Sequence, residues 1–262
     1  MSLKNYINRE LYQPLRSILG IKPKWYYRDL KELINQKEKS NNVEFDNLIV
    51  HPQLKDKFDS AGTMSGHYFH QDLYIAQRIF EKNPKKHLDI GSRIDGFVAH
   101  IAAFRKIDIV DIRDINSNVK NISFKKMDLT AQIDVKNDFK YDSISILHAI
   151  EHFGLGRYGD PINYYGHIVA LKNISKLLTK DGNLYISVPI GPQRLEFNAH
   201  RVFALDYLLK WFSSENFEVK DFSYIDDNGD FHPYMQLSDL DLYNNLGCHY
   251  GCGVFTLNFK NE

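Results

Sequence analysis

From residue 86 onward the chain alternates between short apolar runs and amphipathic stretches. The runs at 87–90, 107–112, 122–127, 143–147 and 183–188 have strand length. Between them, residues 96–105 and 164–178 have helical spacing. The second of these sets Ile168, Leu171, Ile174, Leu177 and Leu178 on one face and is expected to stop at Lys180-Asp181-Gly182. Strand–helix alternation predicts an α/β fold with a right-handed, mostly parallel sheet covered on both faces. A further helix is expected over 204–212, followed by strands at 217–224 and 253–259. The turn Asp226-Asp227-Asn228-Gly229 between them points to an antiparallel pair at one sheet edge.

Upstream, SGHYFHQDLYIAQRIF (65–80) places Leu73, Ala76, Ile79 and Phe80 at helical spacing. Phe69 and Phe80 are expected to pack on the sheet, with Asp72 in the first turn complementing the helix dipole. Tyr68, His70 and Gln71 either belong to that packing face or close over a ligand. Residues 1–48 are polar, with Leu11, Leu15, Ile18 and Leu19 at helical spacing broken by Pro14, Gly20 and Pro23. KELINQKEKSNN (31–42) reads as a helix end passing into a linker. The expected organisation is a helical cap and linker over 1–64, then one α/β domain over 65–262.

Composition removes some functions. The 33 basic and 33 acidic side chains cancel, so nothing draws the chain to nucleic acid. No apolar run reaches membrane-spanning length, and MSLKNYINRELYQ lacks the apolar core of a signal peptide, so a cytoplasmic protein is expected. Cys248 and Cys252, in CHYGC, are spaced for neither a redox pair nor a zinc knuckle and read as buried thiols.

The candidate chemistry begins at KHLDIGSRIDGFVAHI (86–101), a strand running through Gly91-Ser92-Arg93 into a helix. That arrangement presents free backbone N–H groups to a ligand. Gly91 lets the backbone approach closely. Asp89 either ties the turn or takes a ligand ammonium. Asp111 ends the second strand about 20 residues later, placed to accept ribose hydroxyls or to cap the next turn, with Asp114 as a neighbouring competitor. Asp128 ends the third strand, where it would accept an adenine amine while Met127 or Leu129 packs on the ring.

Taken in order, LDIGS, the strand-end Asp111, MDL, YDSISILHAIEH and LLTKDGNLYISVP resemble the successive motifs of class I S-adenosylmethionine-dependent methyltransferases over residues 86–190. GHYFHQDL, DIGSRIDGFVAH and EHFGLGRYGDP further resemble a branch associated with bacterial surface-carbohydrate gene clusters. The resemblance implies a Rossmann-like seven-stranded sheet with one antiparallel edge strand, S-adenosylmethionine as cofactor and S-adenosylhomocysteine as product. By position it implies that Asp89, Gly91 and Ser92 frame the methionine end, Asp111 with Ile112 holds ribose, Asp128 with Leu129 holds adenine, and His148 lies beneath. Tyr68 and Gln71 would close over the cofactor. The family's turn repeats glycine at every second position, whereas Arg93 and Asp95 stand here. Arg93 would contact the cofactor carboxylate or reach Asp89. The absence of G-x-G-x-x-G argues against a dinucleotide.

Methyl transfer is mostly positioning, and a hydroxyl acceptor gains from a base, for which His152 is the first candidate. Glu151 either orients it or is a structural partner. FGLGRYGDP brings Arg157 and Tyr158 to a polar acceptor. Arg194, His200 and Arg201 would contact a phosphate, or else pair with Glu196 and Asp206. His232 and His249 read as structural, and no cluster has metal-ligand spacing, so a metal-independent reaction is expected. The expected partner is a small acceptor, anionic or sugar-like (phosphorylated, nucleotide-linked or sugar), with a homodimer among the compatible assemblies. The rivals are N-methylation of a small amine or amide, and a non-catalytic S-adenosylmethionine-binding partner subunit. A nucleic-acid methyltransferase is disfavoured by the balanced charge and the missing N-P-P-Y motif.

Overall fold

The computed structural model describes residues 22–40, 44–45, 47–116, 118–133 and 139–260. The helical spacing of Leu11, Leu15, Ile18 and Leu19 lies outside the described residues. The chain divides into two compact units, Met1–Thr63 and Met64–Glu262. In the first, helix α1 (Lys24–Lys39) follows Pro23 and buries no residue of its own.

The second unit runs in the order α2 (His67–Lys82), β1 (His87–Ile90), α3 (Ala99–Ala102), β2 (Ile107–Asp111), β3 (Ile122–Lys126) and β4 (Tyr141–Leu147). It continues with α4 (Gly166–Leu177), β5 (Leu178–Ile190), β6 (Arg194–Glu196), β7 (His200–Val202), α5 (Leu205–Ser214), β8 (Phe217–Ile225), β9 (Phe231–His232), α6 (Asp239–Asn244) and β10 (Gly251–Phe259). The main sheet has the order β3-β2-β1-β4-β5-β10-β8-β9. Strands β3 to β5 are parallel, while β10 runs antiparallel to both β5 and β8, and β9 is antiparallel to β8.

This is the expected α/β architecture with two corrections. The sheet has eight strands rather than seven, and the antiparallel β10 is internal rather than at an edge. The turn 226–229 leads into the short β9, because the chain passes through α6 before returning as β10. Strand order reverses between β1 and β4, and ligands in such sheets bind at the carboxyl ends of the strands flanking that reversal.

Each face of the sheet has its own apolar layer. Ile144, Ile146, Leu171, Ile174, Leu208 and Phe212 pack together on one face, and Ile75, Ile79, Phe97, Ile101, Ile109 and Val254 on the other. All four residues of β1 are buried, as a strand covered on both sides requires.

Helix α2 is rotated from its expected phase. It buries Gln71, Asp72, Ile75, Ala76 and Ile79, whereas Phe69 and Phe80 are exposed. Because the helix starts at His67, Asp72 lies past its first turn and faces inward. The 164–178 helix ends at Leu177, and Lys180-Asp181-Gly182 falls within β5, where the pairing with β4 jumps from Tyr141↔Leu178 to Ser143↔Asn183. That jump is a bulge, which accommodates Gly182 without ending the strand.

His167 on α4 is buried beside Trp211, with Nε2 at 3.1 Å from the Tyr207 hydroxyl and Nδ1 unpaired. Burial pushes its ring down to about 3, and the Arg201 charge adds to this. The unfolded chain therefore binds the proton more readily. The stability this group contributes is complete above pH ~6.5 and is lost as pH falls toward 3, at about 1.4 kcal/mol per pH unit. The expected result for His167→Phe is a shallower acid loss of urea midpoint between pH 6.5 and 4 than the unaltered chain shows. Parallel curves would rule out His167 as a source of acid lability.

Candidate functional site

The turn after β1 is fastened by Asp89. Its buried carboxylate accepts the Ser92 N–H at 3.1 Å and the hydroxyls of Ser92 and Ser145, each at 2.6 Å. Burial pushes the carboxyl up to about 6, against the pull of these donors. Asp89 thus ties the turn to β4. Gly91 sits at φ +66°, where a Cβ would meet the Ala149 Cβ at 3.2 Å, so the backbone reaches this position only without a side chain. Arg93 turns outward, pairing with Asp95 at 3.2 Å and lying 4.9 Å over the Tyr68 ring, and does not reach Asp89. A single π turn, Ile94–Val98, then enters α3. Within it a Cβ on Gly96 would fall 2.4 Å from the Asp72 carboxylate, so glycine is what lets α2 approach.

Since Ile90 pairs with Val110, Asp111 lies level with the Gly91 turn. Its carboxylate is engaged by Arg113, through Nε at 2.9 Å, Nη2 at 2.7 Å and the backbone N–H at 2.8 Å. The Arg113 guanidinium also lies 4.4 Å over Tyr158. Sequence reading missed this arginine, although its spacing two residues after the aspartate was a visible signal. Asp128 accepts the N–H and hydroxyl of Thr130, at 2.8 and 2.7 Å, closing its own turn. Asp114 pairs with Lys126 at 2.7 Å. Ile112 is half-buried beside Asp111 and Leu129 is buried near Asp128.

A cavity of about 510 Å³ opens beyond β4, lined by Tyr68, His148, Glu151, His152, Arg157, Tyr158, Asn198, Ala199, His200 and Tyr250. At its floor His148 Nδ1 lies 2.8 Å from Glu151 Oε1, and the same oxygen is 3.6 Å from His152 Nε2. Glu151 is buried, which opposes its charge, yet the two histidines hold its carboxyl below the usual range. His152 Nδ1 is 2.6 Å from the Ala199 carbonyl, which fixes the ring proton on Nδ1. Burial pushes the His152 ring below its usual value, and Glu151 only partly offsets this. His152 is therefore neutral near pH 7, with Nε2 as its basic nitrogen.

The loop over the cavity is built by Asp160, whose carboxylate accepts the N–H groups of Gly154, Gly156 and Tyr158. Gly154, at φ +78°, passes so near the Asn163 carbonyl that a Cβ would lie 2.0 Å from it. Arg157 donates to the Ala199 carbonyl at 3.0 Å and lies beside Tyr158.

The three candidate phosphate ligands are engaged with the protein's own groups. Arg201 is buried and donates to the carbonyls of Glu151, Phe153 and Tyr164, at 3.2, 2.7 and 3.0 Å. Arg194 pairs with Glu196 and donates to the Pro192 and His249 carbonyls. His200 lines the cavity while pairing with Glu196 at 3.1 Å. Gln71 is buried, accepting the Ser187 hydroxyl at 2.6 Å and donating to Asp72. His70 stacks on Phe231, and His232 pairs with Asp226 and stacks on Tyr224; all lie away from the cavity lining. Tyr250, Asn198 and Ala199 were missed, because only the return of β10 and the β6–β7 hairpin bring those distant segments here.

A family model described as "Caenorhabditis protein of unknown function, DUF268" matches residues 99–218. No curated protein matches the chain. Among solved structures, the chain is similar to Burkholderia thailandensis 1,6-didemethyltoxoflavin-N1-methyltransferase with bound 1,6-didemethyltoxoflavin and S-adenosylhomocysteine. The identity is 17%, over 72% of this chain and 79% of that one, with a TM-score of 0.52. It is also similar to the O-methyltransferase of a Brevibacillus brevis trans-AT polyketide synthase multienzyme in complex with S-adenosyl-L-homocysteine, at 15% identity over 73% and 71%, TM-score 0.50. A third similar structure is the [4+2]-cyclase SpnF, at 12% identity over 74% and 82%, TM-score 0.53. The shared feature is the Rossmann-like methyltransferase fold. A fold that includes a protein described as a cyclase does not by itself name a reaction.

Proposed function

We propose that this chain transfers a methyl group from S-adenosylmethionine to an oxygen of a small polar acceptor held in the cavity beyond β4. The observation that carries this reading is the neutral His152, its proton fixed on Nδ1 by the Ala199 carbonyl and Glu151 beside its basic Nε2. The residues at the switch point fit the cofactor. Gly91 leaves the backbone open at the end of β1, and Asp111 stands level with it, its carboxylate shared with Arg113 until a ribose displaces that side chain. Gly91, Ser92 and Asp111 would hold the methionine and ribose portions, with Tyr68 and His148 beside them. The cofactor supplies an electrophilic methyl group on a sulfonium. Asp128, whose carboxylate closes its own turn, contributes a rigid edge where adenine would lie.

His152 accepts the proton of the acceptor hydroxyl on Nε2, and the Glu151 carboxylate stabilises the imidazolium that results. Arg157 and Tyr158, on the loop organised by Asp160, position the acceptor. Because Arg194 and Arg201 are committed to the protein's own oxygens, a dedicated phosphate clamp loses its support. Aromatic walls at Tyr68, Tyr158 and Tyr250 with polar His200 and Asn198 favour a hydroxylated ring such as a sugar. A cytoplasmic precursor of surface polysaccharide is the acceptor that the family resemblance favours.

Calorimetric titration with S-adenosylmethionine and S-adenosylhomocysteine tests the cofactor. Asp111→Ala is expected to weaken binding by ~1–3 kcal/mol, the scale of leaving polar groups unpaired. Arg113→Ala, which frees the same carboxylate, is expected to tighten it. Absence of heat with both ligands would sink the reading.

A further inference from the structure

We propose that His67, His148 and Cys252 form a binding site for a zinc-type transition-metal ion, with an open fourth position on the cavity side. Their donor atoms all lie within 4.8 Å of one another, drawn from α2, the end of β4 and the start of β10. The decisive observation is His148. Its side chain is 4% exposed, its Nδ1 is held by Glu151 at 2.8 Å, and its buried Nε2 has no hydrogen-bond partner. A buried ring nitrogen left unpaired is costly unless something occupies the space before it.

The surroundings have the form of a metal site's outer layer. A metal-bound imidazole donates its other N–H to a carboxylate or carbonyl, which fixes the ring and raises its basicity. Here Glu151 serves His148, and the Tyr250 carbonyl serves His67. The two rings lie nearly parallel, 8° apart in plane and 5.2 Å between centroids. Cys252 is fully buried beside His148, and the other contacts of its Sγ are long, 3.7 Å to Gln71 Oε1 and 3.9 Å to the Gly253 carbonyl. That Gln71 oxygen already accepts the Ser187 hydroxyl at 2.6 Å, so it holds the thiol weakly.

Two imidazoles and a thiolate suit Zn²⁺, and three protein ligands with one position open is the pattern of a reactive rather than a purely structural site. Bonds of about 2.0–2.3 Å place tetrahedral donors roughly 3.5 Å apart. Loading therefore draws the side chains inward by about 1 Å from a 4.8 Å spread. The competing occupant is a proton shared between Cys252 and His148, whose donor atoms lie side by side. The two are distinguished by what remains after dialysis.

His148 is the one of the three ligands that also lines the cavity, and the proposed fourth position is on that side. If the methyl-transfer reading above holds, a hydroxyl bound there is acidified beside His152. The site itself does not depend on that reading. The full-length chain, stripped with a chelator and reloaded with Zn²⁺ or Co²⁺, is expected to retain one ion per chain after dialysis. The cobalt form is expected to show thiolate-to-metal charge-transfer absorption, absent in Cys252→Ser, and His148→Ala is expected to lose the ion altogether. Retention no greater than that of Cys252→Ser would overturn the site and leave the proton as occupant. Should either variant fail to fold by circular dichroism, zinc K-edge absorption on the unaltered chain decides. One sulfur with two imidazoles supports the site, and oxygen or nitrogen ligands alone overturn it. Cofactor calorimetry on the stripped chain separates the two proposals, since S-adenosylmethionine binding that fails there leaves the metal result standing.

Discussion

Arg201→Ala is expected to lower the unfolding free energy by about 3–4 kcal/mol, read as a drop in urea midpoint at unchanged slope. The guanidinium is buried and serves three carbonyls, those of Glu151, Phe153 and Tyr164. Each carbonyl stranded without a donor costs about 1–3 kcal/mol, and partial access of water to the gap reduces the total. These carbonyls flank the loop that carries Arg157 and Tyr158, so the variant is also expected to bind acceptor more weakly. Lysine is a poor replacement. One ammonium on a flexible stem does not match donors fixed in a plane, and Arg201→Lys is expected to recover less than half of the loss. An unchanged midpoint for Arg201→Ala would mean that water satisfies those carbonyls.

His152→Ala is expected to lower kcat for methyl transfer about 10²–10⁴-fold, or about 3–5 kcal/mol of barrier, while leaving the dissociation constant for S-adenosylmethionine unchanged. The pH profile separates a base from a mere wall of the cavity. Burial holds His152 below the usual histidine value. The unaltered chain should keep its rate as pH falls to neutrality and below, then lose it as Nε2 becomes protonated. The variant should lack that limb. An acid limb that survives in His152→Ala would remove the base, and an unchanged kcat would turn attention to an amine acceptor that brings its own lone pair.

The parallel half of the sheet was legible because its signal is local. Strand β1 runs over the residues its apolar pattern predicted, and β2, β3 and β8 differ from expectation by a residue or so at their ends. Local pattern failed where a distant segment decides. The phase of α2 was misread because Gln71 and Asp72, both polar, turn inward to the Ser187 hydroxyl and to Gly96, a pairing no window of sequence contains. Of the residues singled out for chemistry, Asp89 fastens the turn after β1, and His152 lies at the cavity floor beside Glu151. Arg201 looked equally suited to an anion and is occupied by carbonyls, because burial cannot be read from an arginine in a polar-looking stretch. Cys252 was dismissed on its spacing to Cys248. Its neighbours in space, His67 and His148, come from elements far away in the chain.

Strand β10 is the last strand described, yet it fills the interior of the sheet, pairing with β5 on one side and β8 on the other. During synthesis, the thirteen residues of β5 emerge long before the strand that covers their edge. A chain still on the ribosome therefore carries an open, apolar β edge, the kind of surface that pairs with other chains unless it is shielded. Strand β8, meanwhile, has no place in the sheet until β10 arrives. The same late segment delivers Tyr250 to the cavity and Cys252 to the side of His67 and His148. A partly made chain can hold the turn after β1 but not the full lining of the cavity beside it, so on the proposed reading activity is withheld until the C-terminal strand is in place.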